Sequence, residues 1–235
     1  MKKFTGTATA LVTPFKNDGE IDFDSYGKLI DFQIENGIEG IVPCGSTGEA
    51  ATMSKEEKIS VIKFAIERAQ GKVVVIAGTG SNDTRATIEL TKKAKELGAD
   101  AVLLVSPYYN KPTQNGMFEH FKAIADVDIP QVLYNVPGRT GTNVLPETQL
   151  KIAEDCPNVI ATKEASANLE QIMEIIKHAP SHFTVLSGDD VLSLPIIAAG
   201  GRGSIAVISN YAPKKYGDLV RAALKDDFKT ARELQ

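Results

Sequence analysis

Short apolar runs alternate with longer amphipathic segments along the whole chain. Eight runs rich in Val, Ile and Leu have the length of a buried strand and lie at residues 7–14, 40–45, 73–78, 101–106, 131–136, 159–163, 183–188 and 203–208. The segments between them, such as "SKEEKISVIKFAIERAQG" and "TRATIELTKKAKELG", carry apolar residues at helical spacing and have Gly or Pro near their ends. The pattern therefore predicts strands that alternate with helices.

This alternation limits the possible folds. Near-continuous apolar strands separated by helices are typical of a parallel sheet that helices cover. Eight of them in 235 residues favour an α/β fold of the closed kind, a (β/α)8 TIM barrel with eight parallel strands. An open, doubly wound sheet is the alternative. No linker or change of composition divides the chain, so we expect one barrel over residues 1–224.

The last segment continues the helical pattern past the barrel. Residues 212–235 predict an eighth helix that ends near Leu224 and then the start of another helix. The apolar positions of that helix, Phe228, Ala231 and Leu234, have no further segment to pack against. We therefore expect residues 225–235 to begin a C-terminal helical region that is mostly absent, with lower stability and weaker assembly as the consequence.

Composition and charge exclude several classes of function. Hydrophobic residues make up 43% of the chain and charged residues 24%, and the net charge of −4 comes from scattered charges without the basic stripe that nucleic acid requires. No apolar run approaches the ~18 residues of a membrane span, and the N-terminus is interrupted by Thr, Gly and Pro before it reaches signal-peptide length. Cys44 and Cys156 are too few for a disulfide framework. We expect a cytoplasmic protein that binds neither nucleic acid nor membrane.

Candidate chemistry lies where the predicted strands end. Active sites of such barrels are built from the loops that follow the strands. Polar stretches stand at these places: "GSTGE" (45–49) after the second strand, "SPYYN" (106–110) after the fourth, "YNVPGRTG" (134–141) after the fifth and "SGDD" (187–190) after the seventh. Lys163 ends the sixth strand. These groups are expected to gather on one face of the barrel.

Lys163 is the residue that a packed core does not explain. A lysine on an inward-facing strand is costly unless it is paired or neutral, and Glu164 lies on the opposite side of the strand. Desolvation disfavours the ammonium and lowers its pKa, which leaves an amine that can attack a carbonyl and form a Schiff base. The protonated imine then accepts electrons during carbon–carbon bond chemistry on a keto acid or sugar.

Some of these features also have ordinary structural explanations. "GSTGE" can be a tight turn or a helix N-cap, Tyr134 a core aromatic with a satisfied hydroxyl, and Arg139 a partner in a loop salt bridge. Cys44 follows an apolar strand and has no histidine near it in sequence. We therefore expect Cys44 to be a small packing residue and not a nucleophile.

Metals and nucleotide cofactors are not indicated. The three histidines, His120, His178 and His182, are not clustered as ligands, because Pro180 interrupts the one i,i+4 pair, and we expect all three at the surface. "GTGSND" and "GRGSIA" depart from the dinucleotide-binding pattern, and "GSTGE" lacks the Gly-Lys of a P-loop.

The motifs "GSTGEAAT", "YYNKP", "YNVPGRTG" and "KEASAN", in this order and at these strand ends, resemble the dihydrodipicolinate synthase and N-acetylneuraminate lyase family of class I aldolases. The resemblance covers nearly the whole chain. Within that family, Arg139 resembles the synthase branch, which joins pyruvate to L-aspartate 4-semialdehyde on the way to diaminopimelate and lysine, without a metal or cofactor. The resemblance also implies a homo-oligomer, a dimer or a tetramer.

The resemblance implies catalytic roles for four residues. Lys163 would form the imine with pyruvate, while Tyr134, Thr47 and Tyr109 would relay protons, the last from a neighbouring subunit. A phenol can accept a proton and return it at hydrogen-bond distance, and the Thr47 hydroxyl can bridge two phenols because it both donates and accepts.

The resemblance also implies four substrate-binding residues. Ser46 would help to bind the pyruvate carboxylate, and Arg139 offers a planar fork for the carboxylate of the second substrate. Gly188 and Ile205 would complete the pyruvate site.

Other functions remain open at the level of the sequence. N-acetylneuraminate lyase or another pyruvate-dependent aldolase is the alternative within the enzyme class, and a weakly active or non-catalytic barrel scaffold that binds a small acid is the alternative outside it. Feedback inhibition by lysine is expected to be weak or absent. The segment "MSKEEK" has no histidine where lysine-sensitive relatives carry one, Ala86 aligns with their glutamate, and Lys55 would repel the ammonium.

Overall fold

Eight parallel strands close into a barrel in the computed structural model, which describes residues 4–235. Each strand pairs with the next one along the chain, and β1 pairs with β8 through the register Gly6 to Gly203 and Ala8 to Ile205. The strands are β1 (Gly6–Ala10), β2 (Gly40–Val42), β3 (Val74–Gly78), β4 (Ala101–Val105), β5 (Gln131–Asn135), β6 (Val159–Glu164), β7 (Thr184–Ser187) and β8 (Gly203–Ala206).

Helices cover the outside of this barrel. Several begin at a side chain that accepts a backbone N–H, as at Asp83 and Asn168, and Ser54 forms a complete capping box with Glu57. Within residues 4–235, no helix is both long and apolar enough to span a bilayer. The helices are α1 (Phe23–Glu35), α2 (Lys55–Ala69), α3 (Thr84–Leu97), α4 (Gln114–Ala125), α5 (Pro137–Thr140), α6 (Pro146–Asp155), α7 (Leu169–His178), α8 (Ser193–Ala198), α9 (Pro213–Leu224) and α10 (Phe228–Leu234).

The apolar core has an inner part and an outer part because strand side chains alternate in direction. The inner cluster fills the barrel and includes Ala161, Leu186 and Ile205, while the larger outer cluster packs the strands against the helices. Ala161 faces inward on β6, and Lys163, two residues later, therefore also faces inward. The fold thus directs the amino group of Lys163 into the barrel.

The predicted (β/α)8 barrel is confirmed, and all eight predicted strands are present, although most are shorter than their apolar runs. The alternative of an open, doubly wound sheet is wrong, because β1 pairs with β8 and closes the barrel. The final helix of the barrel ends at Leu224, as expected. The expectation that the following apolar residues have nothing to pack against is wrong for Ala231. This residue is fully buried in a cluster that α10 shares with α8 and α9.

Gly78 at the end of β3 is a point of close backbone approach. A Cβ atom built there would lie 2.1 Å from the carbonyl oxygen of Cys44, so the loop after β2 would have to move. Gly138 in α5 provides a matched control, since a Cβ atom there meets nothing within 4 Å. Neither glycine has the left-handed backbone that would add strain of its own.

We predict that Gly78→Ala lowers the free energy of unfolding by about 1–3 kcal/mol or more, because overpacking displaces backbone. Gly138→Ala is expected to change it by less than about 0.5 kcal/mol. Urea unfolding of both variants beside the parent chain measures the difference. Equal stability of the two variants would contradict the close approach at Gly78.

Candidate active site

Lys163 and Tyr134 are neighbours across two adjacent strands. They are register partners between β5 and β6, and both side chains point into the barrel. The Lys163 Nζ atom lies 4.2 Å from the centre of the Tyr134 ring, and the lysine is 4% exposed. The predicted nucleophile and the predicted proton relay are therefore in contact.

The amino group of Lys163 has a lowered basicity. Burial is the main cause and lowers its pKa from 10.5 to about 8, the charge of Asp190 opposes this shift, and Arg139 adds slightly to it. Near pH 8 a large fraction of the side chain is therefore a neutral amine. A neutral amine is the form that attacks a carbonyl carbon.

Glu164 does not neutralise Lys163, as the alternation of the strand predicted. Its carboxylate points to the outer face of β6, where it accepts hydrogen bonds from Asn135, Gln149 and other side chains. Asp190 acts on Lys163 from the loop after β7, where its carboxylate accepts the backbone N–H groups of Val207 and Ile208. The "SGDD" stretch marked this loop in the sequence, but no role for Asp190 could be assigned from it.

Gly188 and Ile205 occupy positions that shape the lysine pocket. A Cβ atom at residue 188 would lie 2.9 Å from both Lys163 Cγ and Ala165 Cβ, so a glycine is needed for the lysine side chain to fit. Ile205 on β8 is fully buried in the inner cluster that also contains Tyr134. Gly188 thus lies beside Lys163, and Ile205 lies in the barrel interior.

A cavity of about 370 Å³ opens above Tyr134, between the loops that follow β2, β3, β4 and β5. Ser46, Tyr134 and Arg139 all line it. Burial raises the pKa of the Tyr134 phenol, and Arg139 opposes this shift. Among residues 4–235, the Arg139 guanidinium has no ion pair with Asp or Glu, so the loop salt bridge that was its alternative explanation is not formed.

Of the four predicted catalytic residues, only Tyr134 is part of the cavity wall, and Lys163 adjoins it through its contact with Tyr134. Thr47 is half-buried in a short 3₁₀ turn, and Tyr109 is 89% exposed with a left-handed backbone angle φ of 71°. In the part of the chain that the structure describes, the cavity wall includes neither side chain. A single subunit therefore leaves the Tyr109 side chain in solvent and outside the cavity wall.

Cys44 and His120 are both buried side chains. Cys44 is 4% exposed in the outer core cluster, as expected of a packing residue, and burial raises the pKa of its thiol to about 12. The expectation of surface histidines is wrong for His120, which is 5% exposed between α3 and α4, where its Nδ1 atom bonds to Thr84. Within residues 4–235, no three His, Cys, Asp or Glu side chains are grouped as metal ligands.

We predict that Lys163→Met raises the free energy of unfolding by about 3 kcal/mol at pH 7, since 1.36 kcal/mol accompanies each unit by which the lysine pKa is lowered from 10.5 to about 8. The cost of the buried charge is present in full below the folded pKa of about 8 and disappears as pH rises toward 10.5, the unfolded value. The advantage of the variant should shrink over that range.

Urea unfolding from pH 7 to pH 10.5 measures this difference, with Lys177→Met at an exposed position of α7 as the control. A gain for Lys163→Met that does not change with pH, or an equal gain for the control, would contradict the prediction.

Comparison with known proteins agrees with this geometry. The model of the dihydrodipicolinate synthetase family matches residues 3–235. A curated relative from Maridesulfovibrio salexigens, named 4-hydroxy-tetrahydrodipicolinate synthase, is 55% identical over 98% of this chain and 79% of its own length. The solved dihydrodipicolinate synthase of Aquifex aeolicus superposes with a TM-score of 0.96 at 49% identity, over 98% of this chain and 79% of that one.

A solved dihydrodipicolinate synthase from Acinetobacter baumannii, described as chloride-inhibited and complexed with pyruvate, is similar in the same way. Its TM-score is 0.96 at 44% identity, and the match covers 98% of this chain and 79% of that one. The match of the family model to nearly every residue, together with relatives near half identity, shows that this chain belongs to the dihydrodipicolinate synthetase family.

Proposed function

We propose that this chain condenses pyruvate with L-aspartate 4-semialdehyde through a Schiff base on Lys163, as a lyase of lysine and diaminopimelate biosynthesis. The observation that carries the proposal is the buried Lys163 amine, with a pKa lowered to about 8 and with Tyr134 against it. Relatives that share 49–55% identity are named 4-hydroxy-tetrahydrodipicolinate synthase, and a similar enzyme has been solved with pyruvate.

The first step needs a neutral amine and a group that moves protons. Lys163 attacks the keto carbon of pyruvate, and the resulting carbinolamine loses water to give the imine. Tyr134 lies beside the amine and has its phenol at the cavity, so it can accept a proton in one stage and return it in the next. The imine nitrogen then withdraws electrons, and loss of a methyl proton leaves a carbon nucleophile.

The second step joins this carbon to the aldehyde of aspartate semialdehyde. Arg139 lines the cavity without an ion pair of its own, which leaves its planar donors free for the carboxylate of that substrate. Ser46 lines the same cavity and would bind the pyruvate carboxylate. Gly188 leaves the room that Lys163 and pyruvate share, and Ile205 closes the inner side.

The proton relay is proposed to be completed in a homo-oligomer. Tyr109 is almost fully exposed and held in a strained backbone conformation, which suits a side chain that inserts into a neighbouring subunit. Thr47 would bridge Tyr134 and the Tyr109 of that neighbour. The location of the enzyme in the cytoplasm stays a prediction, which the buried free thiols of Cys44 and Cys156 support.

The other candidate functions are not favoured. The relatives with 52–55% identity are named 4-hydroxy-tetrahydrodipicolinate synthase. Arg139 lines the cavity, where its guanidinium can bind the carboxylate of aspartate semialdehyde. Weak inhibition by lysine also stays a prediction. It rests on Ala86 and Lys55, which both line the cavity, although the ion pair of Lys55 with Glu89 at 2.7 Å reduces the repulsion of a ligand ammonium.

We predict that borohydride reduction in the presence of pyruvate adds one pyruvate-derived group to the parent chain and none to Lys163→Met, because the variant lacks the amine. Mass spectrometry of the intact protein and of its peptides checks both results. The Lys177→Met chain serves as the control and should still be modified at Lys163. A specific adduct on Lys163→Met would identify a different nucleophile and overturn the proposal.

We predict that Tyr134→Phe slows turnover of pyruvate and aspartate semialdehyde by ~10²- to 10⁴-fold through loss of proton transfer. The ring that packs against Lys163 is retained, so the KM for pyruvate should change much less than kcat. Steady-state kinetics over both substrates separates the two constants. Unchanged turnover would remove Tyr134 from the mechanism.

A further inference from the structure

The residues that follow Tyr134 and Lys163 form a second pair on the outer face of the same two strands. Asn135 and Glu164 are register partners of β5 and β6, and neither side chain is exposed to solvent. The Asn135 Nδ2 atom donates a hydrogen bond of 2.7 Å to Oε1 of Glu164. Tyr134 and Lys163 thus point into the barrel, and the residue after each of them, Asn135 and Glu164, points outward and takes part in a hydrogen bond between the same two strands.

The Glu164 carboxylate is surrounded by donors. Its Oε1 atom also accepts from Gln149 of α6 at 2.7 Å and from Gln171 of α7 at 3.2 Å. Its Oε2 atom accepts from the Ser166 hydroxyl at 2.6 Å and from the Ser166 N–H at 3.3 Å. A buried carboxylate that accepts this many bonds is fixed in place, and bonds to a charged acceptor are the strong ones.

The network continues into the loop that follows Arg139. Asn135 Nδ2 donates a second bond of 2.8 Å to Asn143, and Asn135 Oδ1 accepts from the Val144 N–H at 3.0 Å. Asn143 in turn donates to Gln171 at 2.8 Å. One buried carboxylate therefore connects the ends of β5 and β6 with α6, α7 and the loop behind Arg139.

We infer that Glu164 is a positioning residue, which acts through Asn135 to hold Tyr134 and Lys163 in their mutual orientation. The inference rests on the proposed Schiff-base function. Consecutive side chains of a strand share one backbone, so a shift or rotation of the outward residue moves its inward neighbour. Catalysis is sensitive to such movement, since a displacement of ~1 Å costs about 100-fold in rate.

Two variants test this role. Glu164→Gln keeps the shape but removes the charge that organises the donors, and Asn135→Leu removes the bond between the strands. We expect each to lower kcat by about 10- to 100-fold while the KM for pyruvate changes less than about threefold. Gln149→Leu is the matched control, because it removes a bond of the same length to the same oxygen from α6 instead of β5. We expect Gln149→Leu to lower the free energy of unfolding about as much as the two test variants do, but to lower kcat by much less.

A double-mutant cycle distinguishes positioning from a general loss of structure. In the Tyr134→Phe background, Glu164→Gln should lower kcat by a smaller factor than in the parent chain, because the phenol is already gone and only the position of Lys163 is still affected. Full additivity of the two losses, or equal kcat for Glu164→Gln and Gln149→Leu, would overturn the inference even if the parent chain forms the imine. Should Glu164→Gln fail to fold, Asn135→Leu carries the same cycle. Absence of imine in the parent chain would instead remove the proposed function and this inference with it.

Discussion

Desolvation of the Lys163 amino group is the interaction on which the rest of the site depends. The inner face of β6 offers no carboxylate in contact with the amine, so burial dominates and the pKa falls to about 8. The same burial makes the amine a nucleophile near neutral pH and makes the folded chain less stable while the lysine is charged. Burial is therefore the common cause of the reactivity of Lys163 and of its cost to the stability of the fold.

A strand that carries such a residue has to be held by its other face. The alternation of side chains gives β6 two environments, with Lys163 in the apolar barrel interior and Glu164 among amide and hydroxyl donors under the helices. Few polar groups can hold the inward face of β6, because a carboxylate in contact with the Lys163 amine would raise its pKa again. Hydrogen bonds on the outward face can supply the rigidity without restoring the charge of Lys163.

Space near the lysine is set by the smallest residues. Gly188 is needed because any side chain there would collide with Lys163, and Gly78 lets the loops after β2 and β3 approach each other at the cavity. Closure of the barrel then brings strand ends from distant parts of the chain to one rim. Ser46 from the turn after β2, Tyr134 from β5 and Arg139 from α5 meet in one cavity for this reason.

The sequence alone determined the order of strands and helices and the central lysine, whereas the pairing of β1 with β8 decided that the sheet is closed. Apolar runs of strand length report burial directly, and Lys163 stands out because an ammonium at the end of such a run violates the pattern. The outward direction of Glu164 followed from the two-residue period of a strand. These features depend on residues that are close together in the chain.

Tertiary structure alone decided which distant groups meet. The network of Glu164 joins it to Asn135, 29 residues away, and to Gln149, 15 residues away. The influence of Asp190 on Lys163, the burial of His120 and the packing of Ala231 on α9 likewise depend on strand register and helix docking. A local sequence pattern cannot predict such contacts, because the distances between these residues are set by the closure of the barrel and not by their separation in the chain.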